Sequence, residues 1–126
     1  MNKSFRSSSY ALNSVYGLPK VLKDNGYSTS FFHGAFNGSQ NFDQYSNVAG
    51  FERYYGKNEY VGPVSFDGKW GVFDEDFLQF FTHKLSDFKQ PFFSTLFTIS
   101  SHPPFTIPEK YKGKFPKGTT EIHESI

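Results

Sequence analysis

Residues Phe92–Phe105 read FFSTLFTISSHPPF. The first eight, rich in Phe, Leu, Ile and Thr and free of charge, follow Pro91 and stop at Ser100-Ser101-His102-Pro103-Pro104. A short apolar run bounded by turn residues predicts a strand buried on both faces, and such strands are usually parallel. A proline pair continues neither a ladder nor a helix, so the chain is expected to leave the sheet at His102. That places an imidazole just past the carboxyl end of a central strand. In open α/β sheets, this edge is where ligands bind.

The segment before it repeats the arrangement. Leu18, Val21 and Leu22 have i, i+3, i+4 spacing, Pro19 stands in the first turn and Gly26 follows Asn25. This predicts a short amphipathic helix over 17–25 with a glycine C-cap. Tyr27–Phe32 alternates polar and aromatic residues, predicting a strand that exits at His33-Gly34. Asn37-Gly38-Ser39 reads as a turn, with Ser39 capping a helix that runs to about Val48 and turns Phe42, Tyr45 and Ala49 inward. Phe51–Tyr55 reads as a short extended piece, and 57–72 as a long glycine-rich loop of the kind that often carries function. Asp74-Glu75-Asp76 opens the clearest helix, over 74–88, with Phe77, Leu78, Phe81, Leu85 and Phe88 along one side.

Helix, strand, helix, loop, helix, strand is parallel α/β order with a right-handed crossover expected. Parallel strands end on one edge, so His33 and His102 are expected to face a single crevice. Thr119 or Thr120 reads as the cap of a last helix in TTEIHESI, too short to be stable alone. Two strands are also few for a doubly wound sheet. Both features point to a piece of a larger domain or to one that needs partner strands.

At 126 residues the chain makes one domain at most, and 17 Phe with 8 Tyr supply ample apolar area for a core. A net charge of +1 exerts no long-range pull on nucleic acid or acidic membranes. With no Cys, disulfides and thiolate metal sites are excluded. No apolar run approaches the ~20 residues of a membrane helix, and MNKSFRSSSY lacks a signal-peptide core.

Either histidine alone reads as a satisfied loop residue; the pair, each at the exit of a parallel strand, points to a shared site. Two imidazoles donate hydrogen bonds to an anionic ester or act as acid and base. They do not make a metal site by themselves, since zinc or manganese takes at least three protein ligands. Ser100 and Ser101 lack the nucleophile-elbow pattern and read as structural. Asp74-Glu75-Asp76 reads as an acidic first turn set by the helix dipole. The Lys and aromatic stretch 110–117 reads as a solvated loop, with no nucleic-acid partner. Asn2-Lys3-Ser4 and Asn37-Gly38-Ser39 match a glycosylation pattern that short polar loops often match by chance. Trp70 either walls a pocket or simply packs.

Leu22-Lys23-x-x-Gly26-Tyr27-x-Thr29-x-Phe31-Phe32-His33-Gly34, followed by Thr98-x-x-x-His102-x-Pro104-Phe105, resembles the sulfatase-like catalytic domain of the lipoteichoic acid synthase type. These are phosphoglycerol transferases of the alkaline phosphatase superfamily, and the likeness runs from about Arg6 to the end. The resemblance implies an α/β fold, part of a parallel-stranded alkaline phosphatase/sulfatase-like sheet flanked by helices. It also implies a metal-dependent enzyme that cleaves or transfers a sulfate or phosphate ester carried by a glycerophospholipid or glycan. A membrane anchor outside this segment would hold it at the extracytoplasmic face of a bacterial membrane. His33 and His102 match the family's substrate-anion histidines; Asn37, Gln40 and Trp70 join them as expected substrate-binding residues. Where the lipoteichoic branch has a Trp and an Arg, this chain has Gln40 and Phe42. Losing a guanidinium removes a bidentate phosphate partner and implies a different substrate.

Residues 1–126 are therefore expected to form the central, incomplete segment of one sulfatase-like domain. The nucleophile would lie upstream, so no catalytic residue is expected here. The divalent metal (Mn, Mg, Ca or Zn) would be held elsewhere, with no metal ligand in this segment. The alternative reading is a non-catalytic anion- or glycan-phosphate-binding module from a truncated gene.

Overall fold

The computed structural model of the chain describes residues 4–5 and 8–125. Asn2 and Lys3 of the first glycosylation-pattern triplet, Arg6 and the terminal Ile126 lie outside them. The elements, in order, are α1 (Leu18–Asp24), β1 (Ser28–His33), α2 (Phe42–Ala49), β2 (Arg53–Tyr55), α3 (Asp74–Ser86) and β3 (Phe92–Phe97). The three strands form one parallel sheet in the order β2-β1-β3. The parallel α/β class read from the sequence is the class observed.

The centre of that sheet is β1, not the 92–99 run. Every residue of β1 after Ser28 is buried, whereas β3 is half-buried and ends at an exposed Phe97. The apolar run reports how much contact β3's side chains can make. It does not report which strands lie beside it, and among the described residues β3 pairs with β1 alone. The converse error concerns β1, whose polar/aromatic alternation predicts one wet face. Its polar residues are buried and paired. The Ser30 and Ser94 hydroxyls meet at 2.7 Å, and the Thr29 hydroxyl accepts from Glu52 N–H at 3.1 Å. Satisfied in this way, small hydroxyls cost little to bury.

Helices cover the two faces of β1. Phe31 packs on Phe42 of α2 and on Phe51. Phe32, on the opposite face as the pleat requires, packs on Phe80 and Phe81 of α3, on Phe88 and on Tyr55. The core is Phe32, Val72, Phe77 and Phe80. Phe80 takes the inward place expected of Leu78, which is exposed.

α1 keeps the expected glycine after its last turn, Gly26 at φ 85°, although Pro19 rather than Leu18 is its buried residue. Ser39 does not cap α2. Residues Ser39–Asn41 make a separate 3₁₀ turn, Gln40 and Asn41 take positive φ, and the helix starts afresh at Phe42. The final TTEIHESI segment is a 3₁₀ turn over Glu121–Glu124, without a side-chain cap from Thr120. Among the described residues, no helix is long and apolar enough to cross a membrane.

The 57–72 loop is pinned back onto the end of β1. Lys57 N–H donates to Ala35 O at 2.9 Å, and Val72 N–H to Gly34 O at 2.9 Å. The approach is so close that a side chain at Gly71 would collide with the Gly34 carbonyl oxygen. This docking sets Trp70 at the carboxyl edge of the sheet.

Candidate functional site

Register determines what meets at that edge. β1 and β3 run side by side with His33 opposite Phe97, so the chain beyond Phe97 starts level with the His33 ring. Ile99 then tucks into the interior, 5 % exposed, and a turn closed by His102 N–H to Ile99 O at 3.0 Å brings His102 back over the strand ends. His33 and His102, 69 positions apart by their numbers, line one cavity of about 330 Å³ with Gln40, Phe42, Trp70 and Phe97.

The two imidazoles are held differently. His33 is 3 % exposed, with its ring against Phe42 at 4.5 Å and Phe97 at 5.2 Å. Its Nδ1 lies 3.3 Å from the Tyr54 hydroxyl oxygen. Burial pushes the Tyr54 phenol well above its ordinary range, helped by the charges of Asp43 and Glu59, so the hydroxyl keeps its proton. His102 is exposed and sits edge-on to Trp70 at 4.6 Å. Its Nδ1 is 3.1 Å from the Pro103 carbonyl oxygen. A carbonyl only accepts, so this nitrogen carries the hydrogen.

Trp70 does more than pack. Its indole N–H donates to Pro103 O at 2.7 Å, tying the glycine-rich loop to the His102 turn. The Trp70 backbone is fixed by Asp67, whose Oδ1 accepts from the N–H groups of Lys69, Trp70 and Gly71 at 2.9, 2.7 and 3.0 Å. The Asp67-Gly68 pair is a turn signature, so this support was readable from the sequence. Asp74 supports the same turn from below, accepting from Ile99 N–H and Ser100 N–H at 2.8 Å each. The Ser100 hydroxyl oxygen accepts from Asp74 N–H at 2.9 Å, in keeping with a structural serine.

Four of the five expected substrate-binding residues, His33, Gln40, Trp70 and His102, therefore line the cavity. Asn37 does not. Its amide donates to both Glu59 carboxylate oxygens at 3.1 and 3.0 Å, and its own oxygen accepts from Asn58 N–H at 3.3 Å. It organises the turn after β2, through a partner too distant in sequence for local spacing to reveal. Asp67 carries only the turn signal of Asp67-Gly68, and the ERYY context of Tyr54 carries no motif.

Among the described residues, the lining includes no Asp, Glu, Lys or Arg. The walls are aromatic and amide-bearing, and among the described residues the only ionisable groups on them are the two imidazoles. An anion entering here would find hydrogen-bond donors, with no competing carboxylate among the described residues. The described residues do not suit a divalent metal, because no three His, Asp or Glu side chains cluster among them.

A family model described as Sulfatase matches residues 3–125. The chain is 29% identical over 106 residues to the lipoteichoic acid synthase-like protein YvgJ of Bacillus subtilis, an alignment covering 84% of this chain and 17% of that protein. It is 30% identical over 106 residues to a lipoteichoic acid synthase of Staphylococcus saprophyticus, covering 81% of this chain and 16% of the relative. The chain thus spans about a sixth of the length of these curated relatives. Among solved structures it resembles an alkaline phosphatase superfamily protein of Vibrio parahaemolyticus, with TM-score 0.77 and 27% identity over 98% of this chain and 32% of that one. The parallel sheet with helices on its faces is the arrangement the two share.

Proposed function

Because the chain belongs to the sulfatase family, whose members handle sulfate or phosphate esters, we propose that it supplies the oxyanion pocket of such an enzyme. In this reading the whole enzyme cleaves or transfers the sulfate or phosphate ester of a glycerophospholipid or glycan. His33 and His102 hold the anionic group as charge shifts during transfer. Gln40 and Trp70 contact the remainder of the substrate. The observation that carries the reading is the meeting of His33 and His102 on one cavity that has no other ionisable wall among the described residues.

The rest of the machinery is assigned to other segments. The nucleophile, the divalent metal with its ligands, and a membrane anchor at the extracytoplasmic face all belong outside these residues, which form the central segment of one catalytic domain. The small share of the relatives that the chain spans supports this.

Titration with inorganic phosphate, followed through the imidazole resonances, tests the pocket. Both rings should respond, and His33→Ala/His102→Ala should weaken binding at least about tenfold, the equivalent of roughly 1.4 kcal/mol. Rings indifferent to phosphate would remove the pocket. A phosphodiesterase or sulfatase assay of these 126 residues with Mn²⁺ should show no turnover above that double variant. Turnover above it would place the nucleophile and metal site within the chain after all.

A second reading is an anion-binding module without turnover, in which the same two imidazoles on one cavity hold the anion. In-frame stops in the flanking DNA would favour it. An upstream Thr-bearing strand–helix junction with a downstream Asp-His pair would favour the enzyme.

A further inference from the structure

The short strand β2 puts one side chain where only the parallel register could bring it. Tyr54 pairs with Phe31, and its ring stacks on the Phe31 ring with centroids 6.0 Å apart and planes 7° from parallel. His33 stands two residues beyond Phe31 on the same face of β1. Two residues of strand advance the chain by about 6.6 Å, a distance a tyrosine lying along the strand can bridge with its para hydroxyl. The hydroxyl accordingly ends 3.3 Å from His33 Nδ1.

We propose that Tyr54 is a positioning residue that sets the tautomer of His33. Its hydroxyl donates to Nδ1, so the neutral imidazole carries its hydrogen on Nε2 and serves the cavity as a donor. In a neutral imidazole one nitrogen donates and the other accepts, and the partner of the first decides the role of the second. Burial keeps the Tyr54 phenol protonated, so the hydrogen that this donation needs is present on the oxygen. Stacking on Phe31 fixes the ring plane and holds the hydroxyl oxygen beside Nδ1, while the hydrogen turns about the C–O bond to meet the nitrogen lone pair. The outcome matters because a neutral His33 protonated on Nδ1 instead would offer an oxyanion a lone pair, and two acceptors repel. The inference rests on the oxyanion pocket proposed above only for its functional consequence; the tautomer stands or falls by itself.

The test is Tyr54→Phe, which deletes the hydroxyl and keeps the stacked ring, read by nitrogen–proton correlation on histidine-labelled protein at a pH where the imidazoles are neutral. His33 is assigned by its disappearance in His33→Gln. In the parent chain His33 should show a protonated Nε2 and a bare Nδ1. In Tyr54→Phe it should show averaged tautomers, and phosphate should bind about 3- to 10-fold more weakly, the effect of one misdirected hydrogen bond. Tyr55→Phe, altered on the other face of the sheet, should leave His33 unchanged and serves as the control for folding. A protonated Nδ1 in the parent, or nitrogen shifts that ignore Tyr54→Phe, overturns the proposal. A parent chain that fails to bind phosphate instead overturns the pocket, while the nitrogen shifts still decide the tautomer.

Discussion

Phe32→Ala is expected to lower the unfolding free energy by about 3–5 kcal/mol, the range for emptying a fully buried phenylalanine site. Phe32 is 0 % exposed. It stacks on Tyr55 at 4.5 Å and meets Phe81 edge-on at 4.8 Å, with Phe80 and Phe88 beyond. These partners come from β2, α3 and the segment leading into β3, so no single neighbour can close the hole. A domain typically has about 5–15 kcal/mol in all, and this one substitution removes a large part of it. Urea unfolding followed by circular dichroism measures the loss. Phe32→Leu should recover more than half of it, because most of the volume returns. A shift below about 1 kcal/mol would mean that α3 does not pack on β1 as described.

Asp74→Ala should be nearly as costly, by about 2–4 kcal/mol, through another mechanism. The carboxylate accepts two backbone hydrogen bonds, from Ile99 and Ser100, each at 2.8 Å. Hydrogen bonds to charged groups contribute roughly 1.5–3 kcal/mol apiece, with incomplete additivity. Their loss should also free the His102 turn, so hydrogen exchange at the Ile99 and Ser100 amides should accelerate and phosphate affinity should fall. Asp74→Asn retains one acceptor oxygen and should recover part of both. Unchanged exchange at those two amides would show that the turn is held by something else.

The pattern of what was legible follows from the range of each interaction. Local signals are legible: the helix–glycine–strand run that ends in His33, the acidic opening of α3, the proline pair beyond β3. Parallel topology then follows from the alternation of helices and strands, and with it the convergence of His33 and His102 on one edge. Lateral order is less legible. An apolar run such as 92–99 states that a strand will be covered, not by which element, and β2 is only three residues long. Dual-purpose residues are hardest to read. Asp74 already had a sufficient reason to stand at a helix start, so its grip on a turn 25 residues away was invisible. Asn37 reads as a turn residue, and its Glu59 partner comes within reach only through folding.

The contact between Trp70 and His102 has an optical consequence. Trp70 is the only indole in the chain, so all tryptophan emission originates at the seam joining the glycine-rich loop to the His102 turn. An imidazole held edge-on to an indole perturbs its emission, and separating the two removes the perturbation. The brightness of the unlabelled molecule is therefore a direct gauge of whether that seam is shut.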